Sequence, residues 1–234
     1  MSKKETIFER IEKKYILDQT QCEGLKALLQ GHMEPDSFGE QTLMSIYYDT
    51  PDFDLIRRSL DRPVYKEKLR LRSYGYPVPD VVYLELKKKY KGVVYKRREA
   101  FPADRAQAFL SGEYDPPKMS QILKEIRYFT DFYQTVPKMM ILCERTAYRS
   151  VEKEPVRLTI DSNIRFRETG LDLKSGTDGI PYSDRPVYVL ELKAEGAMPL
   201  WLADALAGLK IYPNRFSKYG KCYTKKVMEE RNHA

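Results

Sequence analysis

The sequence has very little histidine. His32 and His233 are the only two among 234 residues, which argues against a histidine-based metal site and against a Ser-His-Asp mechanism. A glycine-rich loop followed by Lys and Ser or Thr is also absent, so phosphate binding through a P-loop is not expected. The longest apolar run, around residues 139–143, is too short to cross a bilayer. We therefore expect a soluble protein without direct membrane insertion.

Cysteine is scarce as well. Cys22, Cys143 and Cys222 are odd in number and far apart in the sequence, which is typical of a chain in a reducing compartment. The first residues, Met1 to Thr6, do not form the apolar core of a signal peptide. These two features predict a cytoplasmic protein.

The composition suits one domain with an excess of positive charge. A hydrophobic content of 42% over residues 1–234 is enough for one ordinary core, and neither a linker nor a repeat is evident. Lys and Arg number 41 against 34 Asp and Glu, which gives a net charge of +7. This excess of positive charge favours an anionic partner such as phosphate, nucleic acid or a membrane surface, and it does not choose among them.

Alternation of apolar and polar residues predicts eight strands and several helices. The strands span residues 6–16, 42–49, 64–74, 80–89, 92–100, 138–150, 156–167 and 186–194. Helices are predicted at 20–30, just after Pro51, and at 103–111, 119–133, 199–210 and 218–231. The stretch 170–184, rich in Gly, Ser and Asp, is predicted to be a loop.

Charged side chains recur at every second position of these strands. The stripes are Lys66, Lys68, Arg70 and Arg72; Tyr83, Glu85, Lys87 and Lys89; Lys96 and Arg98; Arg157, Thr159 and Asp161; and Glu191 and Lys193. A single charged face is usually the solvated side of a sheet. Its repetition, together with amphipathic helices that could cover the apolar faces, favours an α+β fold: a closed eight-stranded antiparallel β-barrel with helices packed outside.

A lumen with so many cations needs compensating negative charge. Glu12, Glu85, Glu191 and Asp161 could supply part of it. An anionic ligand would complete the neutralisation. The pattern therefore predicts binding of a polyanionic phosphate chain, such as ATP, inorganic triphosphate or polyphosphate, and no nucleic-acid partner is expected because the basic residues would face one lumen.

Eight short motifs in these segments resemble the catalytic domain of the vacuolar transporter chaperone (VTC), the polyphosphate polymerase branch of the triphosphate tunnel, or CYTH-like, metalloenzymes. They are RIEKKY at 10–15, YYDTPDF at 47–53, KLRLR at 68–72, ELK at 85–87, ERTAY at 144–148, RLTID at 157–161, LELK at 190–193 and FSKY at 216–219. The resemblance covers nearly the whole chain, and it depends on the order and spacing of the motifs together.

The resemblance implies a tunnel in which a divalent metal, Mn²⁺ or Mg²⁺, assists transfer of the γ-phosphate of ATP to polyphosphate. The implied catalytic and phosphate-binding residues are Lys14, Arg70, Arg72, Lys87, Arg145 and Lys218, with Ser217, Lys96 and Arg98 as further phosphate contacts. The charged stripes add Lys89, Arg157 and Lys193. Glu191 matches the metal-binding position, and Glu12, Glu85 and Asp161 are further candidates for holding the metal or its waters.

Several alternatives stay open at this stage. A triphosphatase, a nucleotidyl cyclase or a non-catalytic polyphosphate receptor would share most of these residues. Arg10 stands where the wider family has a glutamate, which favours the polymerase branch. The regulatory and transmembrane segments of the eukaryotic polymerases are not in this sequence, so a separate membrane-protein partner is expected. Tyr47, Tyr48 and Tyr83 could stack on a nucleobase, but packing is the favoured interpretation for each.

Overall fold

The structure, a computed structural model, describes residues 10–151 and 156–233. The strands are β1 (Arg10–Leu17), β2 (Met33–Asp49), β3 (Tyr65–Tyr74), β4 (Val81–Tyr90), β5 (Val93–Pro102), β6 (Val136–Ser150), β7 (Val156–Arg167), β8 (Ile180–Pro181) and β9 (Tyr188–Glu195). The helices are α1 (Gln19–Leu29), α2 (Asp54–Leu60), α3 (Ala106–Ser111), α4 (Gln121–Tyr133), α5 (Leu200–Gly208) and α6 (Lys218–His233). The fold is thus mixed α+β.

The strands form one large sheet. Its order is β1-β9-β7-β6-β2-β3-β4-β5, with β8 beside β7. The path ends at β1 and β5, so closure of the sheet into a barrel is not confirmed. Residues 6–9 of the first predicted strand lie outside the described residues.

The structure departs most from the predicted elements in β2 and in the predicted loop 170–184. Strand β2 begins at Met33 rather than at residue 42. The prediction missed its first part because that part is largely exposed and lacks the alternation by which strands are recognised. Strand β8 lies inside the predicted loop and pairs with Arg165 and Phe166. Its two residues are too few to show any periodicity.

The chain divides into two compact units. The first contains the described parts of residues 1–41, 144–164 and 183–216, and the second contains the described parts of 42–143, 165–182 and 217–234. The prediction of one domain is not tested by this division. Cys22, Cys143 and Cys222 are buried and unbridged. Among the described residues, the helices are all too short or too polar to span a membrane.

In the first unit, one face of β1, β7 and β9 packs against α1 and α5. The core contains Tyr15 and Leu17 from β1, Leu158 from β7, Leu25 from α1 and Leu202 from α5. Burial of such aliphatic and aromatic side chains is the main source of stability. The opposite face of these strands therefore carries their polar residues.

Helix α1 starts at residue 19 because of a capping box. The Asp18 side chain accepts a hydrogen bond from the Gln21 backbone at 2.8 Å, and the Gln21 side chain accepts one from the Asp18 backbone at 3.1 Å. Such reciprocal bonds satisfy backbone donors that the first helical turn leaves free. The cap therefore sets the position at which α1 leaves β1.

In the second unit, one face of β3 and β4 packs against α3 and α4. Leu69 and Leu84 from the sheet meet Phe109 from α3 and Ile126 from α4 in one core. Helix α4 begins where the Ser120 hydroxyl accepts a hydrogen bond from the Leu123 backbone at 3.1 Å, a typical N-cap. Within this unit, the expectation that helices cover the apolar side of the strands is confirmed.

Candidate functional site

The strand register brings the basic stripes of the second unit together. Lys68 pairs with Lys87 and Arg70 with Glu85 across β3 and β4, and Glu85 pairs with Arg98 across β4 and β5. Directly paired residues lie on the same face of a sheet. We call this surface, opposite the α3 and α4 core, the β3–β5 charged face; it also carries Lys66, Arg72, Tyr83, Lys89 and Lys96.

Glu85 lies at the centre of the β3–β5 charged face, with only 2% of its side chain exposed. One carboxylate oxygen lies 2.6 Å from Arg70 Nε and 3.9 Å from Arg72 Nη1. The other lies 2.9 Å from Lys96 Nζ and 3.6 Å from Arg98 Nε. Burial raises the pKa of Glu85, but the charges of Arg70, Arg72 and Lys96 outweigh it and hold the pKa far below its usual range. These contacts favour charge compensation over metal binding for Glu85.

Arg70 also contacts Tyr47, which stacks on a second tyrosine. Arg70 Nη1 donates to the Tyr47 hydroxyl at 3.1 Å, and the Tyr47 ring stacks on Tyr219 with centroids 4.4 Å apart. Tyr219 in turn donates to Asp49 at 2.8 Å. Burial raises the pKa of Tyr47, but the charges of Arg70 and Arg72 outweigh it and lower the pKa to about 8. Tyr47 is therefore packed into the wall of the face.

The N-terminus of α6 adds to this positive surface. Ser217 Oγ accepts from the Gly220 backbone at 3.2 Å and from Lys68 Nζ at 3.0 Å. The serine therefore caps the helix that Lys218 begins, and it also contacts a predicted phosphate ligand. The free backbone N–H groups of a helix N-terminus favour anions.

The first unit has a smaller charged face around Glu191. Glu191 pairs with Lys14 across β1 and β9 and with Thr159 across β7 and β9. Its carboxylate, 17% exposed, lies 2.7 Å from Lys193 Nζ and 3.5 Å from Lys14 Nζ. Burial raises the pKa of Glu191, but the charges of Lys14 and Lys193 outweigh it and lower the pKa to about 2. Glu191 is therefore ionised at neutral pH. We call this surface, which also carries Glu12 and Arg157, the Glu191 face.

Arg145 lies close to the Glu191 face. It donates to both carboxylate oxygens of Asp161, at 2.5 and 2.7 Å, and Asp161 is only 1% exposed. The positive charge of Arg145 also helps lower the pKa of Glu191. A bidentate pair of this kind fixes the guanidinium, so Arg145 is held in place before any ligand arrives.

The donors of the Glu191 face fit a metal that is bound mainly through its substrate. Within residues 10–151 and 156–233, no cluster of three or more His, Cys, Asp or Glu could hold an ion by itself. Mg²⁺, however, commonly uses one or two carboxylates plus substrate phosphates. The Thr159 hydroxyl, opposite Glu191 in register, is buried without a hydrogen-bond partner in the described structure, and it offers a second oxygen. Sequence reasoning did not assign it a role.

The predicted site residues thus fall on two surfaces. The second unit carries Arg70, Arg72, Lys87, Lys89, Lys96, Arg98, Ser217 and Lys218 with Glu85, and the first carries Lys14, Arg145, Arg157 and Lys193 with Glu12 and Glu191. Their roles in binding and catalysis stay predictions.

Comparison with known proteins identifies the family. The chain is 26% identical to "Vacuolar transporter chaperone complex subunit 4" of Trypanosoma cruzi, over 75% of this chain and 27% of that protein. The same subunit of Trypanosoma brucei brucei is 25% identical over 66% of this chain and 24% of its own length. The chain therefore spans about a quarter of the length of these curated relatives.

A solved structure shares the fold. The crystal structure of a "putative adenylate cyclase" from Bacillus halodurans superimposes with a TM-score of 0.54 at 16% identity, covering 89% of this chain and 93% of that chain. At this identity the likeness concerns the fold alone. The VTC domain matches residues 9–227, nearly the full sequence, and the chain therefore belongs to the VTC domain family.

Proposed function

We propose that this VTC domain is a metal-dependent polyphosphate polymerase that transfers the γ-phosphate of ATP to a growing polyphosphate chain. The observation that carries the proposal is the β3–β5 charged face, where Arg70, Arg72, Lys96 and Arg98 gather around one buried carboxylate. The likeness to VTC complex subunit 4 supports it. The proposal includes closure of the sheet into the tunnel that the sequence predicts.

The arginines of the face are prepared for phosphate oxygens. Arg70 is held by Glu85 and Tyr47, and Arg72 Nε donates to Ser45 Oγ at 3.1 Å. Guanidinium groups that are fixed in advance lose little freedom when they bind phosphate, and they need little rearrangement when charge develops. Lys87 and Lys96 would act as adjustable point charges along the chain.

The reaction requires positioned cations more than it requires a general base that removes a proton. A terminal oxygen of the acceptor chain would attack the γ-phosphorus, the bond from that phosphorus to the bridging oxygen would break, and ADP would leave. Because the attacking oxygen is already anionic, no proton has to be removed. The basic side chains would neutralise charge on the transferred group and on the leaving ADP. Mn²⁺ or Mg²⁺, when bound, would neutralise phosphate charge further, and Glu191 and Thr159 are the residues that would hold it.

The proposal also includes a partner protein and a cellular compartment. Both relatives are named as subunits of a complex, which supports a separate partner, and we propose a membrane protein in that role. The working compartment would be the cytoplasm.

The product identifies the reaction. Purified protein incubated with ATP and Mn²⁺ or Mg²⁺ should yield ADP and a ladder of polyphosphate on a stained polyacrylamide gel, and a chelator should abolish both. Release of orthophosphate alone would show a triphosphatase, and a cyclic nucleotide with pyrophosphate would show a cyclase. Tight binding of tripolyphosphate without any turnover would show a receptor. Each of these three results would overturn the polymerase.

A further inference from the structure

One end of the β3–β5 charged face carries aromatic rings among the arginines. The guanidinium carbon of Arg98 lies 3.7 Å from the centroid of the Tyr83 ring and 5.2 Å from that of Tyr74. The two rings meet edge to face, with centroids 5.5 Å apart and planes at 86°. We call Tyr74, Tyr83 and Arg98 the aromatic end of the face.

The Arg98 guanidinium lies over the face of the Tyr83 ring. An atom 3.7 Å from a ring centroid must lie over the ring face, because in the ring plane it would collide with the ring's own hydrogens. Cation–π attraction stabilises such a contact. The Arg98 side chain is still 38% exposed, so it has one side against Tyr83 and retains surface that a ligand can reach.

Tyr83 lies on the charged side of the sheet, as the stripe that it shares with Glu85 and Lys87 predicts, and the packing that was the favoured interpretation of its ring is not in the apolar core. Packing in the core is the common fate of a strand tyrosine, but Tyr83 is only partly buried. It pairs with Arg72 on β3 and with Ala100 on β5, which puts it on the charged side of the sheet. Its ring supports an arginine there instead of filling the apolar core.

We propose that Arg98, supported by Tyr83, is a platform on which the nucleobase of the nucleoside triphosphate stacks. This inference rests on the proposed function. It gives Arg98 the role of contacting the nucleobase instead of a phosphate. Planar guanidinium groups and aromatic rings are the usual stacking partners of bases. The aromatic end is then the nucleoside end of the face.

The direction of the bound nucleotide follows from the strand spacing. From Tyr83, β4 presents Glu85 and then Lys87 on the same face, and four residues of a strand extend about 13 Å. Lys87 pairs with Lys68, which contacts Ser217 at the start of α6. A base at the aromatic end would therefore place the triphosphate over the arginines, with the γ-phosphate toward the lysines and the helix N-terminus.

Comparison of ATP with inorganic tripolyphosphate tests the platform, because only ATP has a base. Calorimetric titrations would give the ratio of the ATP Kd to the tripolyphosphate Kd. Arg98→Lys keeps the positive charge and loses the planar surface, and Tyr83→Leu removes the support. Each should raise the ratio about tenfold, the loss expected for one stacking contact. Tyr95→Leu is the matched control, since Tyr95 is a half-exposed tyrosine of β5 on the opposite face, and its ratio should stay unchanged.

Several results would overturn the platform. Equal weakening of both ligands in Arg98→Lys would show that Arg98 binds phosphate, and an unchanged ratio in both variants would show that the base binds elsewhere. A polyphosphate ladder made by the unaltered chain together with an unchanged ratio would overturn the platform alone. A raised ratio without any ladder would support the platform and overturn only the polymerase.

Discussion

Glu191→Gln is expected to lower metal-dependent turnover about a thousandfold, the equivalent of about 4 kcal/mol of transition-state stabilisation. Glutamine has the same shape but lacks the negative charge that a divalent cation requires. Mn²⁺ binding, followed by the relaxation rate of water protons, should weaken in parallel. Tripolyphosphate affinity should hold or rise, because Lys14 and Lys193 lose the carboxylate that they now contact.

The control for this variant is Glu23→Gln. Glu23 is an exposed residue of α1, on the side of β1 and β9 that faces away from the Glu191 face, so turnover and Mn²⁺ binding should stay unchanged. Full turnover in Glu191→Gln would contradict a metal-binding role for Glu191. Loss of tripolyphosphate binding in Glu191→Gln, with the fold intact by circular dichroism, would contradict the separation of metal and phosphate roles.

Glu85→Gln is expected to lower the free energy of unfolding by about 3 kcal/mol, near the low end for breaking a buried ion pair. The variant leaves the guanidinium groups of Arg70 and Arg72 without their buried counter-charge. The loss stays near the low end because Lys96 and Arg98 are partly exposed, at 46% and 38%, and water replaces their partner. Chemical denaturation would measure the change.

The effect of a ligand on Glu85→Gln shows whether its lower stability comes from repulsion among the cations or from lost packing. Tripolyphosphate should raise the thermal midpoint of Glu85→Gln by more than it raises that of the unaltered protein, because the ligand replaces the missing negative charge. Glu113→Gln, at an exposed position between α3 and α4, should match the unaltered protein in both respects. Equal stabilisation of Glu85→Gln and the unaltered protein by tripolyphosphate would show that the cations around Glu85 do not face the ligand.

Local patterns were enough to predict most elements of the fold. Strands β3, β4 and β9 largely alternate, so their positions and their charged faces follow from a period of two. In β5, by contrast, Lys96 to Glu99 are four charged residues in succession, and the pattern alone does not fix which of them share a face. The amphipathic spacing of Ile126 and Phe129 likewise predicts α4, and both side chains are buried. Strand β8, by contrast, is held by pairing with β7, and such long-range pairing leaves no local signature.

The sequence was enough to predict which side chains belong to the charged faces. It was less informative about which of these side chains lie opposite each other. The stripes showed which side chains share a face of one strand, but the strand register decides that Arg70 faces Glu85 and that Thr159 faces Glu191. Register depends on contacts between strands far apart in sequence. For the same reason the position of Tyr83 beneath Arg98 could not be predicted from β4 alone.

Titration of the purified chain with tripolyphosphate in a calorimeter is the most direct test that the charged faces bind a phosphate chain. We expect saturable binding at low salt that weakens as salt is added, because exposed charges are screened, and far weaker binding of orthophosphate, which can contact only a few of the cations at once. Equal affinity for orthophosphate and tripolyphosphate, or no saturable binding at low salt, would contradict a site built for phosphate chains.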